Sequence, residues 1–143
     1  MLAERGVHAE VLESDELRRI LGGGYSEADR DAFYQRMVWI GTLLVGHGVP
    51  VIFDATANRR KYRDAARHQI ARFFEVYVDV PLGVCMARDP KGIYRSAGEG
   101  KANEVPGLQA AYEPPANPDL VIDGLHESPD EAAQRIVSIL GLQ

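Results

Sequence analysis

Apolar residues recur along this chain in two rhythms. Short continuous runs, such as Val49 to Phe53 and Leu120-Val121-Ile122, read as buried strands, while apolar positions three and four apart read as helix faces. Met1 to Arg5 reads as the last turn of a helix closed by Gly6, followed by a strand over Val7 to Leu12. Ser14 or Asp15 can cap a short helix from Glu16 to Leu21, and Gly22-Gly23-Gly24 interrupts the chain behind it. Ser26 with Asp29 opens a long helix to about Val45, with Phe33, Met37, Ile40 and Leu44 along one face.

After the strand at Val49 to Phe53 come the loop Asp54 to Asn58 and a basic helix from Arg59 to Arg72. Phe73 to Val80 predicts an internal strand, and Leu82 to Ala87 a short helix. After Leu120-Val121-Ile122, the run Ser128-Pro129-Asp130-Glu131 predicts a final helix with Ser at the cap, Pro first inside and Glu at the third position. Strands alternating with helices predict an α/β fold: one domain over residues 1–143, a parallel sheet with helices on both faces in three layers. Ligands bind such sheets beyond the carboxyl ends of the strands. Those ends carry Glu13 to Arg18, Asp54 to Asn58 and the segment beyond Pro81.

One stretch fits neither rhythm. Arg88-Asp89-Pro90-Lys91-Gly92-Ile93-Tyr94 and the Pro- and Gly-rich run behind it, Gly98 to Pro118, are too polar and too punctuated for core. Long loops in compact domains are lids or linkers. A lid over about residues 89–113 that carries Lys91, Arg95 and Lys101 suggests an anionic ligand, phosphate first.

Composition narrows the partners. A net charge of −5 argues against affinity for nucleic-acid polymers, so an anion site must be a local basic cluster. The single cysteine, Cys85, sits in an apolar run and reads as a structural thiol; its solitude suits a reducing cytoplasm. No apolar run is long enough to cross a bilayer, so no membrane partner is expected.

Several residues can do chemistry. Asp15 can hold Mg²⁺ through water, accept a hydroxyl proton, or simply cap a helix; Arg18 can clamp a phosphate or sulfate, or form a surface ion pair. Arg30 lies in the first turn of the long helix, where an anion is already favoured. Tyr25 can stack on a base or staple the helix start, and Asp54 reads best as a cap for the following helix. The four histidines lack partner spacing and carry no assignment. No G-x-x-x-x-G-K-[ST] run occurs, so nothing here has the spacing to cradle nucleotide β- and γ-phosphates.

The chain resembles the adenylylsulfate kinase family, P-loop kinases that use ATP to phosphorylate the 3′-hydroxyl of adenosine 5′-phosphosulfate, giving PAPS for sulfate assimilation. The strongest parts are Arg88 to Tyr94 and Tyr112-Glu113-Pro114-Pro115-Ala116-Asn117-Pro118-Asp119-Leu120. Asp15-x-x-Arg18, Gly24-Tyr25-Ser26-x-x-Asp29-Arg30 and Phe74 to Asp79 followed by Pro81-Leu82 support them. The resemblance implies that Asp15 works near the transferred phosphoryl group and Mg²⁺, that Arg18 and Arg30 hold the sulfonucleotide, and that Tyr25 packs on its base. Lys91 would reach in from the lid, making Asp15, Arg18 and Lys91 the catalytic set, while Arg88 would contact ATP. Phe33, Thr56, Ala57, Glu104 and Val105 fall where the family contacts its substrate. A homodimer and association with a sulfurylase lie within what the resemblance allows.

The departures are specific. The family's opening strand, which lies mid-sheet, and its Walker loop have no counterpart here, so the 143-residue form is expected to be inactive or nearly so. An early truncation or mis-called start would explain that. The family's Ile-Ser-Pro reads Thr56-Ala57-Asn58, its asparagine after Asp-Arg is Phe33, and its Lys-Asn-Phe-Thr-Gly lid tip reads Asn103-Glu104-Val105-Pro106-Gly107. Two alternatives stay open: a related P-loop kinase for another small hydroxyl compound, and a degenerate module that binds a nucleotide without turnover.

Overall fold

The computed structural model describes residues 2–101 and 105–142. Glu104, and with it part of the lid tip, lies outside the described residues. A 3-10 turn at Ala3–Arg5 ends at Gly6, whose φ of 73° is the left-handed closure expected there. The strands are β1 (Glu10–Glu13), β2 (Val51–Asp54), β3 (Val76–Asp79) and β4 (Leu120–Asp123). The helices are α1 (Ser14–Leu21), α2 (Glu27–Gly46), α3 (Arg60–Gln69), α4 (Leu82–Arg88), α5 (Ile93–Gly98) and α6 (Pro129–Ile139).

All pairing is parallel, but the strands form two ladders rather than one sheet. β1 pairs with β2, Glu13 opposite Asp54; β3 pairs with β4, Asp79 opposite Asp123. Among the described residues β2 and β3 share no ladder. The strand that the resemblance puts between them is not among the 143 residues. Apolar side chains on both pairs are exposed: Val11 and Ile52, directly opposite each other, and Val121.

The core over the first pair is built by α2. Its buried positions, Arg30, Phe33, Tyr34, Met37, Val38 and Gly41, repeat at three- and four-residue spacing, so one stripe faces Leu12 and Phe53. Each large apolar side chain buried there contributes about 1.5–3 kcal/mol. Gly41 permits the closest approach, because a Cβ at that position would overlap the Phe53 ring. The second pair has its own core, Leu120 and Ile122 against Ala132 of α6. Ser128 and Glu131 form the capping box expected for that helix.

Three expectations change. The α1 cap is Glu13, whose carboxylate accepts the Glu16 N–H at 2.7 Å; neither Ser14 nor Asp15 does so, because both are already inside the helix. Asp54 ends β2 and caps nothing, since α3 starts six residues later at Arg60 with Arg59 at its cap. The lid contains a helix, α5, whose first amides at Tyr94 and Arg95 donate to the Asp89 carboxylate at 3.2 and 3.0 Å.

The two ladders are joined through α3. Arg63 donates to the carbonyls of Ala57 and Glu113 and pairs with Glu75 at 2.8 Å; Arg67 bridges Glu75 and Asp119 at 3.4 and 2.7 Å. The Arg67 hydrogen bond, then the Glu75 N–H, hold the Asp119 carboxyl below its ordinary pKa. A carboxyl with a lowered folded pKa stabilises the fold above its unfolded pKa and loses that contribution as pH falls through the folded value.

Two outcomes follow from this packing. Gly41→Ala should cost about 1–3 kcal/mol in urea unfolding, because the Phe53 ring must be displaced. Asp119→Asn should lower the melting temperature by about 2 °C at pH 7, the size expected for a half-exposed ion pair. That difference should close as thermal scans move from pH 5 to below pH 3.

Candidate active site

The carboxyl ends of β1 and β2 present Glu13 and Asp54 side by side, with Asp15 one step into α1. Lys91, from the lid, reaches this carboxylate group: its Nζ lies 2.5 Å from Asp15 Oδ2 and 3.8 Å from Glu13 Oε1. The Asp15 hydrogen bond and charge, with weaker contributions from Glu13 and Asp54, raise the Lys91 pKa, so the ammonium is kept. Both partners are largely exposed, and the pair is a positional link more than a source of stability.

Beside it the glycine loop wraps two buried arginines. Arg18 is only 8% exposed, and its guanidinium donates to the Gly24 carbonyl at 2.8 Å. Its Cζ lies 3.9 Å from the Phe33 ring centroid and 4.7 Å from that of Tyr25. Arg30, equally buried, donates through Nε to the Tyr25 carbonyl at 2.9 Å. Tyr25 itself is exposed, so its outer ring face is open to a ligand. Ser26 caps α2 and hydrogen-bonds the Asp29 carboxylate, which lowers the Asp29 pKa.

Tyr34 shows that these groups converge. Its hydroxyl accepts the Ala57 N–H at 3.0 Å, burial pushes its pKa up, and the charges of Arg18, Arg30 and Asp15 all act on it. Ala57 holds a left-handed φ of 39°, strained for a residue with a Cβ, and is clamped by the Tyr34 hydroxyl and by Arg63 on its carbonyl. Thr56 stands exposed beside it. The carboxylates with Lys91 and the two arginines thus gather around the carboxyl ends of β1 and β2. Such a grouping can take an anionic ligand against the arginines and keep a reacting group near Asp15 and Lys91.

The family model for adenylylsulphate kinase matches residues 1–123. This chain belongs to the adenylylsulfate kinase family. An adenylyl-sulfate kinase from Pseudomonas aeruginosa is 39% identical over 143 residues, covering 97% of this chain and 73% of the relative. One from a Synechococcus strain is 38% identical, covering 94% and 78%. Among solved structures, the Mycobacterium tuberculosis APS kinase in complex with AMPPNP and APS matches with a TM-score of 0.91 at 38% identity, over 98% of this chain and 84% of that one.

Not every residue expected at an adenylylsulfate kinase site is open to a ligand. Phe33 is fully buried and presents no surface to a ligand; it is the floor beneath Arg18, because α2 turns that position into the core. Val105 is also buried, its carbonyl closing a turn onto the amides of Leu108, Gln109 and Ala110. Arg88 is exposed and donates to the Gly124 carbonyl at 3.1 Å, at the carboxyl end of β4. Cys85 is half-buried.

Sequence reasoning missed Tyr34 and Asn58. Asn58, 3% exposed, donates to the Ala111 carbonyl at 2.9 Å, and its own carbonyl accepts the Glu113 N–H, tying the lid's return to the Ala57 loop. The signal for Tyr34 was its place one step after Phe33 on the buried face of α2; Asn58 gave none.

Lys91→Met should release the lid from Asp15. Trypsin cleavage after Arg95 and Lys101 should then rise severalfold in limited proteolysis, with the thermal midpoint nearly unchanged.

Proposed function

We propose that this chain carries the acceptor-binding half of an adenylylsulfate kinase: it binds adenosine 5′-phosphosulfate and presents its 3′-hydroxyl for phosphorylation by ATP. The observation that carries the reading is Arg18. Its guanidinium is buried with a carbonyl and two rings as partners, and among the described residues no carboxylate lies within ion-pair distance. A buried cation without a counter-charge is costly unless something anionic arrives. A sulfonucleotide supplies that anion, and Tyr25 offers a ring face for its base.

In the reaction, Arg18 and Arg30 hold the phosphosulfate and Tyr25 orients the base. Asp15 lies where it can accept a hydrogen bond from the attacking hydroxyl. Lys91, delivered by the lid, supplies positive charge next to Asp15 where the transferred phosphoryl group would pass. Positioning and charge neutralisation are the whole contribution of these side chains. The hard oxygen donors at Asp15 suit Mg²⁺ held by one carboxylate, water and nucleotide phosphates, and the ion would offset phosphate charge there. Arg88 would contact ATP from the β4 side. A second reading, a module that binds the nucleotide without turnover, makes the same use of Arg18 and Tyr25.

Titration calorimetry with adenosine 5′-phosphosulfate, AMP and adenosine separates these. Specific uptake of the sulfonucleotide, with Arg18→Ala weakening it by about 10–100-fold, supports the site. Equal affinity for adenosine, or indifference to Arg18→Ala, contradicts it. A coupled ATP-dependent assay then distinguishes the kinase from the binding module.

A further inference from the structure

Arg18 carries its charge on a flexible stem, and in most proteins a carboxylate would set its direction. Here none does. Two aromatic rings and one carbonyl hold it: Phe33 at 3.9 Å, Tyr25 at 4.7 Å and the Gly24 oxygen at 2.8 Å. The two rings differ in kind. Tyr25 is more than half exposed and free to engage a ligand, whereas Phe33 is 0% exposed and fixed in the core beside Tyr34 and Met37. Its ring also meets Tyr34 edge-on, with centroids 5.3 Å apart and an interplanar angle of 74°. Only Phe33 is therefore a rigid reference surface for the guanidinium.

We propose that Phe33 is a positioning residue for substrate binding, acting through Arg18: its π face replaces a counter-ion and aims the guanidinium at the anion of the ligand. This rests on the sulfonucleotide reading above. The cation–π support leaves the remaining Arg18 donors for the anion. Such contacts are strongest when desolvated, as here.

The test replaces Phe33 by mono-, di- and trifluorinated phenylalanine in the full chain, with Phe33→Leu as the endpoint. Fluorination drains the negative ring face while nearly preserving shape. Affinity for adenosine 5′-phosphosulfate should fall stepwise along the series, reaching about tenfold for Phe33→Leu. Met37→Leu, in the same core cluster, should alter the melting temperature and leave affinity unchanged. Flat affinity across the fluorinated series would overturn the proposal. A second readout needs no ligand. The Arg18 Nε–H resonance should carry a ring-current shift that Phe33→Leu removes, and an unchanged resonance would overturn the proposal equally. If the wild-type chain takes up no sulfonucleotide, the functional reading fails, and the resonance alone decides whether Phe33 holds Arg18.

Discussion

The Arg63 guanidinium is the joint on which this molecule depends. Two ladders that share no strand pairing would otherwise be two small, separately marginal units. Arg63, from the first turn of α3, takes the Ala57 carbonyl from the first unit, the Glu113 carbonyl from the returning lid and the Glu75 carboxylate from the edge of the second. It is nearly buried, as is Glu75, so the pair is well shielded from solvent and from salt. Removing either partner would strand the other charge, a cost of about 3–5 kcal/mol. Arg60 adds two bonds to the same segment, at the Glu113 carboxylate and the Pro114 carbonyl. The strained Ala57 conformation survives because this joint and the Tyr34 hydroxyl determine it from both sides.

The same joint explains how the site stays assembled. Ala57 lies between Tyr34, which senses Arg18, Arg30 and Asp15, and Arg63, which reaches the second ladder. The Ala57 loop is therefore fixed to residues 111–114 through backbone carbonyls, with Asn58 and Arg60 as the donors, while Lys91 is tied to Asp15 by an exposed ion pair.

Local features of the fold were legible in the sequence, and non-local ones were not. The α6 capping box needs only Ser128 and Glu131, three residues apart, and it forms as expected. The left-handed Gly6 closure is equally local. The α1 cap shifted because β1 runs into the helix without a loop, leaving the longer Glu13 side chain, rather than Ser14, to reach the free amides. Helix α5 was not legible because Pro90 and Gly92 read as breakers, although the Asp89 carboxylate ahead of it accepts its Tyr94 and Arg95 amides. Arg63 meeting Glu113 spans fifty residues, and no spacing rule reports that. At the candidate site, Asp15 and Arg18 stood out by residue type at a strand-to-helix junction, Tyr25 and Arg30 at the start of a helix and Lys91 in a basic loop. The inward turn of Phe33 was visible only as helical periodicity, which the resemblance had overridden.

The charge arrangement at the carboxyl ends of β1 and β2 follows from what each position can tolerate. Carboxylates at Glu13, Asp15 and Asp54 stand at exposed strand ends, where water screens their mutual repulsion and one lysine suffices to hold the lid near them. Arg18 is buried, and among the described residues no carboxylate lies within ion-pair distance of it; the Gly24 carbonyl and the Phe33 ring orient its guanidinium without neutralising it. A chain with net charge −5 thus holds a local concentration of positive charge at Arg18 and Arg30, where burial limits screening by water and salt.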